Sequence, residues 1–139
     1  MAAPRLPCDT GPLVAFLNRG DQHHAWAGEQ FDQITQPLVT CEAVISEIVF
    51  LLQSEQLPAD PLFEAIERGA VQVQFSAEEH WPDLRRLLNK YADLPMSFAD
   101  ACLVRMAELA GRCQVFTTDR HFRVYRRHGR DVIPLIAPF

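Results

Sequence analysis

A single lysine, Lys90, stands among the 13 cationic residues of this 139-residue chain, and the formal net charge is −5. Gripping nucleic acid across a whole surface needs a large positive field, so that mode of binding is excluded. No apolar run is long enough to cross a bilayer, and the opening MAAPRLPCDTG lacks the apolar core of a secretory signal. No membrane association is expected, and the expected compartment is the cytoplasm. The four cysteines (Cys8, Cys41, Cys102, Cys113) contain no CxxC pair, and each lies in or beside an apolar run. Neither a zinc site nor a disulfide framework is suggested, and buried free thiols are the expectation. His23, His24, His80, His121 and His128 show no ligand spacing and are expected at the surface. Internal repeats and low-complexity tracts are absent.

What is present has the balance of one compact domain spanning 1–139: 48% hydrophobic and 22% charged residues are enough for a core. Within it, the stretch PMSFADACLVRMAELAGRCQVFTTD is the most informative. Asp100 falls in the first turn of a run apolar on nearly every side, the pattern of a buried helix. Asp119 closes VFTTD, a short apolar strand ending in a polar turn. Burying even a neutral polar group without a partner costs roughly 2–7 kcal/mol, so something positive should meet these carboxylates.

Taken in order, RLPCD reads as a short strand ending at Asp9, and Pro12 suits the start of a helix running through Leu17. Asp21 can cap a surface helix that continues to about Ile34. PLVT is a second strand, after which Thr40 can cap the helix CEAVISEIVFLLQ, whose stripe is Val44, Ile45, Ile48, Val49 and Leu52. PLFEAIER is a short helix stopped by Gly69. VQVQF alternates as a half-buried strand, and Ser76 with Glu79 forms a capping box for a helix reaching Tyr91. After the buried helix and Asp119 come a basic segment and a last strand, DVIPLIA.

Strands alternating with helices imply an α/β domain, three layers of α/β/α with a mostly parallel central sheet. Sites in such sheets gather beyond the carboxyl ends of the strands. Asp9 and Asp119 each follow a strand directly, and Glu47 and Asp100 each lie near the start of a helix at that same edge. Four acids are therefore expected to converge. Carboxylates crowded together raise one another's pKa unless a cation neutralises them. An all-oxygen donor set with no His or Cys at ligand spacing favours Mg²⁺ or Mn²⁺ over Zn²⁺. Such an ion can hold a phosphate oxygen, activate water and stabilise a departing oxygen, which is the apparatus of phosphodiester hydrolysis.

The segments LPCDTGPLVAFL, VISEIVFLL, SFADACLVRMAE and VFTTDRHFRVYRRHG resemble the PIN-domain family, in particular the VapC-like toxins of bacterial toxin–antitoxin pairs. The resemblance spans nearly the whole chain. It implies that Asp9, Glu47, Asp100 and Asp119 bind the metal, and that Thr10 and Thr117 orient ligands or water. It further implies cleavage of RNA, a homodimer, and inhibition by a VapB-like antitoxin whose tail reaches into the acidic cleft.

Each motif also has an ordinary explanation. Ser97 and Asp100 have capping-box spacing, Asp119 can cap the helix after it, and Glu47 borders an apolar stripe as a snorkelling side chain does. Glu42 is explained by the helix dipole, and Asp93 by a solvated loop before Pro95. The arginine-rich stretch is ordinarily a solvated helix face; its functional reading is contact of Arg120, Arg123 and Arg126 with an RNA backbone. Trp26 and Trp81 fit packing better than base stacking. Asp9-Thr10-Gly11 is also the tripeptide of aspartic proteases, but that fold is built from strands and most of this chain has helical periodicity. The alternative of a different class is a catalytically inactive PIN-like module that binds RNA or protein.

Overall fold

Residues 5–9 run extended through the middle of the sheet and hydrogen-bond alternately to two neighbours. Leu6 O accepts from Val39 N and Cys8 N donates to Val39 O on one side, while Phe116 N donates to Pro7 O and Asp9 N donates to Phe116 O on the other. Pro7 has no ladder N–H to give, so the pairing is a set of separate parallel bridges rather than one regular strand. The computed structural model describes residues 3–139.

Outside that central segment lie β1 (Leu38–Thr40) paired in parallel with β2 (Val71–Val73), and β3 (Val115–Phe116) paired in parallel with β6 (Leu135–Ile136). The order across the sheet is β2, β1, 5–9, β3, β6, every neighbour parallel. Helices α1 (Thr10–Leu17), α2 (His24–Gln33), α3 (Glu42–Ser54), α4 (Asp60–Glu67), α5 (Trp81–Lys90) and α6 (Phe98–Ala110) cover it as a three-layer α/β/α fold. An antiparallel hairpin, β4 (Arg126–Arg127) and β5 (Asp131–Val132), stands apart from this sheet.

The helices pack where their apolar residues dictate. Val44, Ile48 and Leu52 of α3 are buried, and α6 is buried from Ala99 to Ala107 apart from the half-buried Arg105. Fully burying one such aliphatic side chain contributes about 1.5–3 kcal/mol, and Leu103→Ala would cost about 2–5 kcal/mol through the cavity it leaves. Glu108, on the same helix, has a side chain only 3% exposed and is paired with Arg86 and Arg105, each at 3.2 Å. His128 N donates to its other oxygen at 2.8 Å, tying the hairpin to α6.

Several local expectations are corrected. Asp21 Oδ1 accepts from His23 N in the turn before α2, whose N-cap is His23. Thr40 does not cap α3, because its hydroxyl donates instead to Cys8 O at 2.9 Å; Cys41 occupies the cap. The Ser76–Glu79 box is not formed: Pro82 has no N–H for the preceding turn, so residues Ala77–His80 form a separate 3-10 turn before α5. Pro134 splits DVIPLIA between β5 and β6. The four cysteines are free and buried, as expected.

Candidate metal centre

The carboxyl edge of the central strands is where three chain segments deliver acids. Asp9 caps α1 and is 6% exposed. Its Oδ1 accepts from Thr10 N at 2.8 Å and its Oδ2 from the Thr117 hydroxyl at 2.7 Å. Thr117, fully buried, also accepts from Asp119 N at 2.9 Å, so one hydroxyl links the acid after the first strand to the acid after β3.

Asp100 enters from α6, held by a complete capping box: its backbone N donates to Ser97 Oγ, and Ser97 N donates back to its Oδ2 at 3.2 Å. Asp119 caps the 3-10 turn Arg120–Arg123, its Oδ1 accepting from His121 N and lying 2.8 Å from His121 Nδ1. The ordinary capping roles are thus real for both residues, and they aim the carboxylates rather than compete with a site.

One oxygen from each of Asp9, Asp100 and Asp119 lies within 4.8 Å of the other two. Glu47 is not in that trio. It joins the edge through Thr10, whose hydroxyl donates to Glu47 Oε2 at 2.8 Å. Burial pushes the Asp9 carboxyl up to about 7, and the charges on Asp100 and Asp119 add to the rise while Thr117 and Thr10 oppose it. Burial raises Asp100 as well, with Asp119 adding and the Ser97 and Tyr125 hydrogen bonds opposing. Among the described residues no Lys or Arg forms an ion pair with any of the three acids. A cluster of oxygen donors with no Lys or Arg to offset its repulsion is the donor set a hard divalent ion takes.

The arginines expected near RNA are placed unequally. Arg120 and Arg123 are exposed and their guanidinium carbons lie 5.1 and 4.8 Å from the Phe139 ring centroid. Arg126 turns back, with Nη1 donating to the carbonyls of Arg123, Val124 and Tyr125. Asp93 is exposed in its loop. Trp26 packs edge-on against Phe116, whereas Trp81 is 54% exposed beside Phe98.

Two neighbours of the site were not singled out from sequence. Tyr125, fully buried, donates to Asp100 Oδ2 at 3.1 Å, and His121 meets Asp119. The spacing of His121 from Asp119 was a readable signal; nothing in the sequence pairs Tyr125 with Asp100, 25 positions away.

A family model described as PIN domain matches residues 8–127. The chain belongs to the PIN-domain family. It is similar to Ribonuclease VapC26 of Mycobacterium tuberculosis (strain ATCC 25618 / H37Rv), 26% identical over 132 residues that cover 87% of this chain and 92% of the relative. The PIN fold is shared with the crystal structure of Mycobacterium tuberculosis VapC20, a Sarcin-Ricin loop cleaving toxin. That match has a TM-score of 0.72 at 20% identity, covering 83% of this chain and 90% of VapC20. The family expected from LPCDTG, SFADA and VFTTD is thereby borne out, and so is the fold class. In this PIN chain all three acids of the trio lie within the matched region.

Proposed function

We propose that this PIN protein is a Mg²⁺-dependent endoribonuclease and the toxin of a type II toxin–antitoxin pair. The observation that carries the reading is the trio of acidic oxygens within 4.8 Å. No Lys or Arg pairs with them among the described residues; the one side-chain base at the trio is His121, 2.8 Å from Asp119 Oδ1. That VapC26 is a ribonuclease and VapC20 a Sarcin-Ricin loop cleaving toxin supports carrying the same reaction class to this chain.

Asp9, Asp100 and Asp119 would hold the ion, Mg²⁺ or Mn²⁺, through one oxygen each. When bound, a divalent cation supplies Lewis acidity for water and phosphate oxygens and charge neutralisation for the reacting phosphodiester. The protein's own part is preorganisation. Thr117 holds Asp9 and the Asp119 backbone in one register, Ser97 orients Asp100, and Thr10 sets Glu47 with its Oε1 available to orient water at the rim. Arg120 and Arg123, exposed just after Asp119, would pair with RNA phosphates; Arg126 would first have to leave three carbonyls.

The partners follow from the same reading: an RNA substrate, a VapB-like antitoxin and a second copy of the chain. The exposed Phe50 and Leu51 of α3, 69% and 40% exposed, support a protein partner. Among the described residues no helix is long and apolar enough to cross a membrane, and the cytoplasm is the compartment we propose. Expression of the wild type and of Asp9→Ala in cells, followed by mapping of RNA 5′ ends, tests the function. New cut sites and arrested growth with the wild type alone are expected; identical RNA ends in both would overturn the reading.

A further inference from the structure

Asp100 presents its two oxygens to different surroundings. Oδ2 accepts from Ser97 N at 3.2 Å and from the Tyr125 hydroxyl at 3.1 Å. Among the described residues no donor reaches Oδ1. With Oδ2 already accepting twice, Oδ1 is the oxygen left to take a further ligand.

Tyr125 is itself held fast. Its ring lies edge-on to Tyr91 at 5.1 Å and 63° and to Phe122 at 5.1 Å and 81°. Arg126 N donates to the Tyr91 hydroxyl at 2.8 Å, fixing the chain directly after Tyr125. Packing needs only the ring, and a phenylalanine would satisfy it. Among the described residues the hydroxyl has one hydrogen-bond partner, Asp100.

We propose that Tyr125 is a positioning residue that fixes the rotation of the Asp100 carboxylate, so that Oδ1 is offered to the cation shared with Asp9 and Asp119. The proposal rests on the metal-dependent reading above and adds to it a residue outside the acidic set. Outer partners that orient a metal ligand typically change metal affinity about 10- to 100-fold when removed.

The test is Mn²⁺ titration of the full chain, by calorimetry and by the rise in Tm that Mn²⁺ produces, for the wild type, Tyr125→Phe and Phe122→Leu. Tyr125→Phe removes one oxygen and keeps the ring contacts, so its circular dichroism should match the wild type. Its Mn²⁺ affinity should fall about 10- to 100-fold, with a smaller Mn²⁺-induced rise in Tm. Phe122→Leu, which perturbs the same cluster without touching Asp100, should lower Tm and leave Mn²⁺ affinity at the wild-type value. Wild-type affinity in Tyr125→Phe, or an equal loss in Phe122→Leu, would overturn the positioning role while leaving the metal site standing. A wild type that binds no Mn²⁺ would overturn both.

Discussion

The Thr117 hydroxyl donates to Asp9 Oδ2 across 2.7 Å while accepting from the Asp119 backbone N at 2.9 Å, joining residues 108 positions apart in the buried pair. Thr117→Val keeps the shape and removes both bonds. A hydrogen bond to a charged group contributes about 1.5–3 kcal/mol, and the Asp119 N–H would be left without its acceptor. Metal affinity should fall about 10-fold or more, and Asp9 should hold its proton to higher pH. Calorimetric titration of Mn²⁺ at two pH values measures both.

The pH dependence of the metal-free protein follows from Asp9. An unfolded aspartate releases its proton near its ordinary value of 3.8, whereas burial keeps Asp9 protonated in the fold up to about 7. Between these values the folded state binds more protons than the unfolded, so its stability is complete at low pH and is lost as pH rises through about 7. Asp100 acts in the same direction. In EDTA, Tm should therefore fall from acidic to neutral pH, and Asp9→Asn should flatten that slope. Mn²⁺ affinity should rise over the same range as the cation displaces the proton.

Gly11 is pressed by the loop that carries Asp119. A Cβ built on Gly11 would stand 1.9 Å from Thr118 Oγ1 and 3.1 Å from its Cβ. Gly11→Ala would force the Thr118 side chain away, and Asp119 is the next residue in the same loop. The expected cost is about 1–3 kcal/mol of stability together with weakened Mn²⁺ binding. Pairing it with Thr118→Ala, which removes the nearest atom, should recover most of both losses in thermal denaturation and metal titration.

A change distant from the acids should affect stability and leave metal binding alone. Glu108, its side chain 3% exposed, faces Arg105 and Arg86 at 3.2 Å each. Glu108→Ala leaves Arg86 and Arg105 to Asp83, at 3.7 and 3.4 Å, but strands the His128 N–H, and should cost about 1–3 kcal/mol. Urea denaturation should show that loss, and Mn²⁺ affinity should remain at the wild-type value.

The sequence was most readable where one helix face or one turn decided the outcome. The all-round apolar run of α6 predicts its burial, and the Val44, Ile48 and Leu52 stripe predicts the inner face of α3. The approach of Asp9, Asp100 and Asp119 was likewise legible, because each follows a strand or begins a helix at one edge. Caps were less so: Thr40 and Ser76 have the chemistry, but Thr40 found a carbonyl on the neighbouring segment and Pro82 interrupted the helix Ser76 would have started. Glu47 lies on the expected helix yet meets Thr10 rather than the trio, a difference of side-chain reach that spacing does not encode. Tyr125 was hidden because VYRRHGR reads as a basic arm, while its one functional bond depends on how the turn after Asp119 folds back under α6.

The central claim is that Asp9, Asp100 and Asp119 form one cation site, and Mn²⁺ titration of the wild type against Asp9→Asn, Asp100→Asn and Asp119→Asn tests it most directly. Saturable binding in the wild type, lost or greatly weakened in every one of the three variants while their folds persist by circular dichroism, is the predicted result. Binding that survives unchanged in any of them, or that is absent from the wild type, would contradict it.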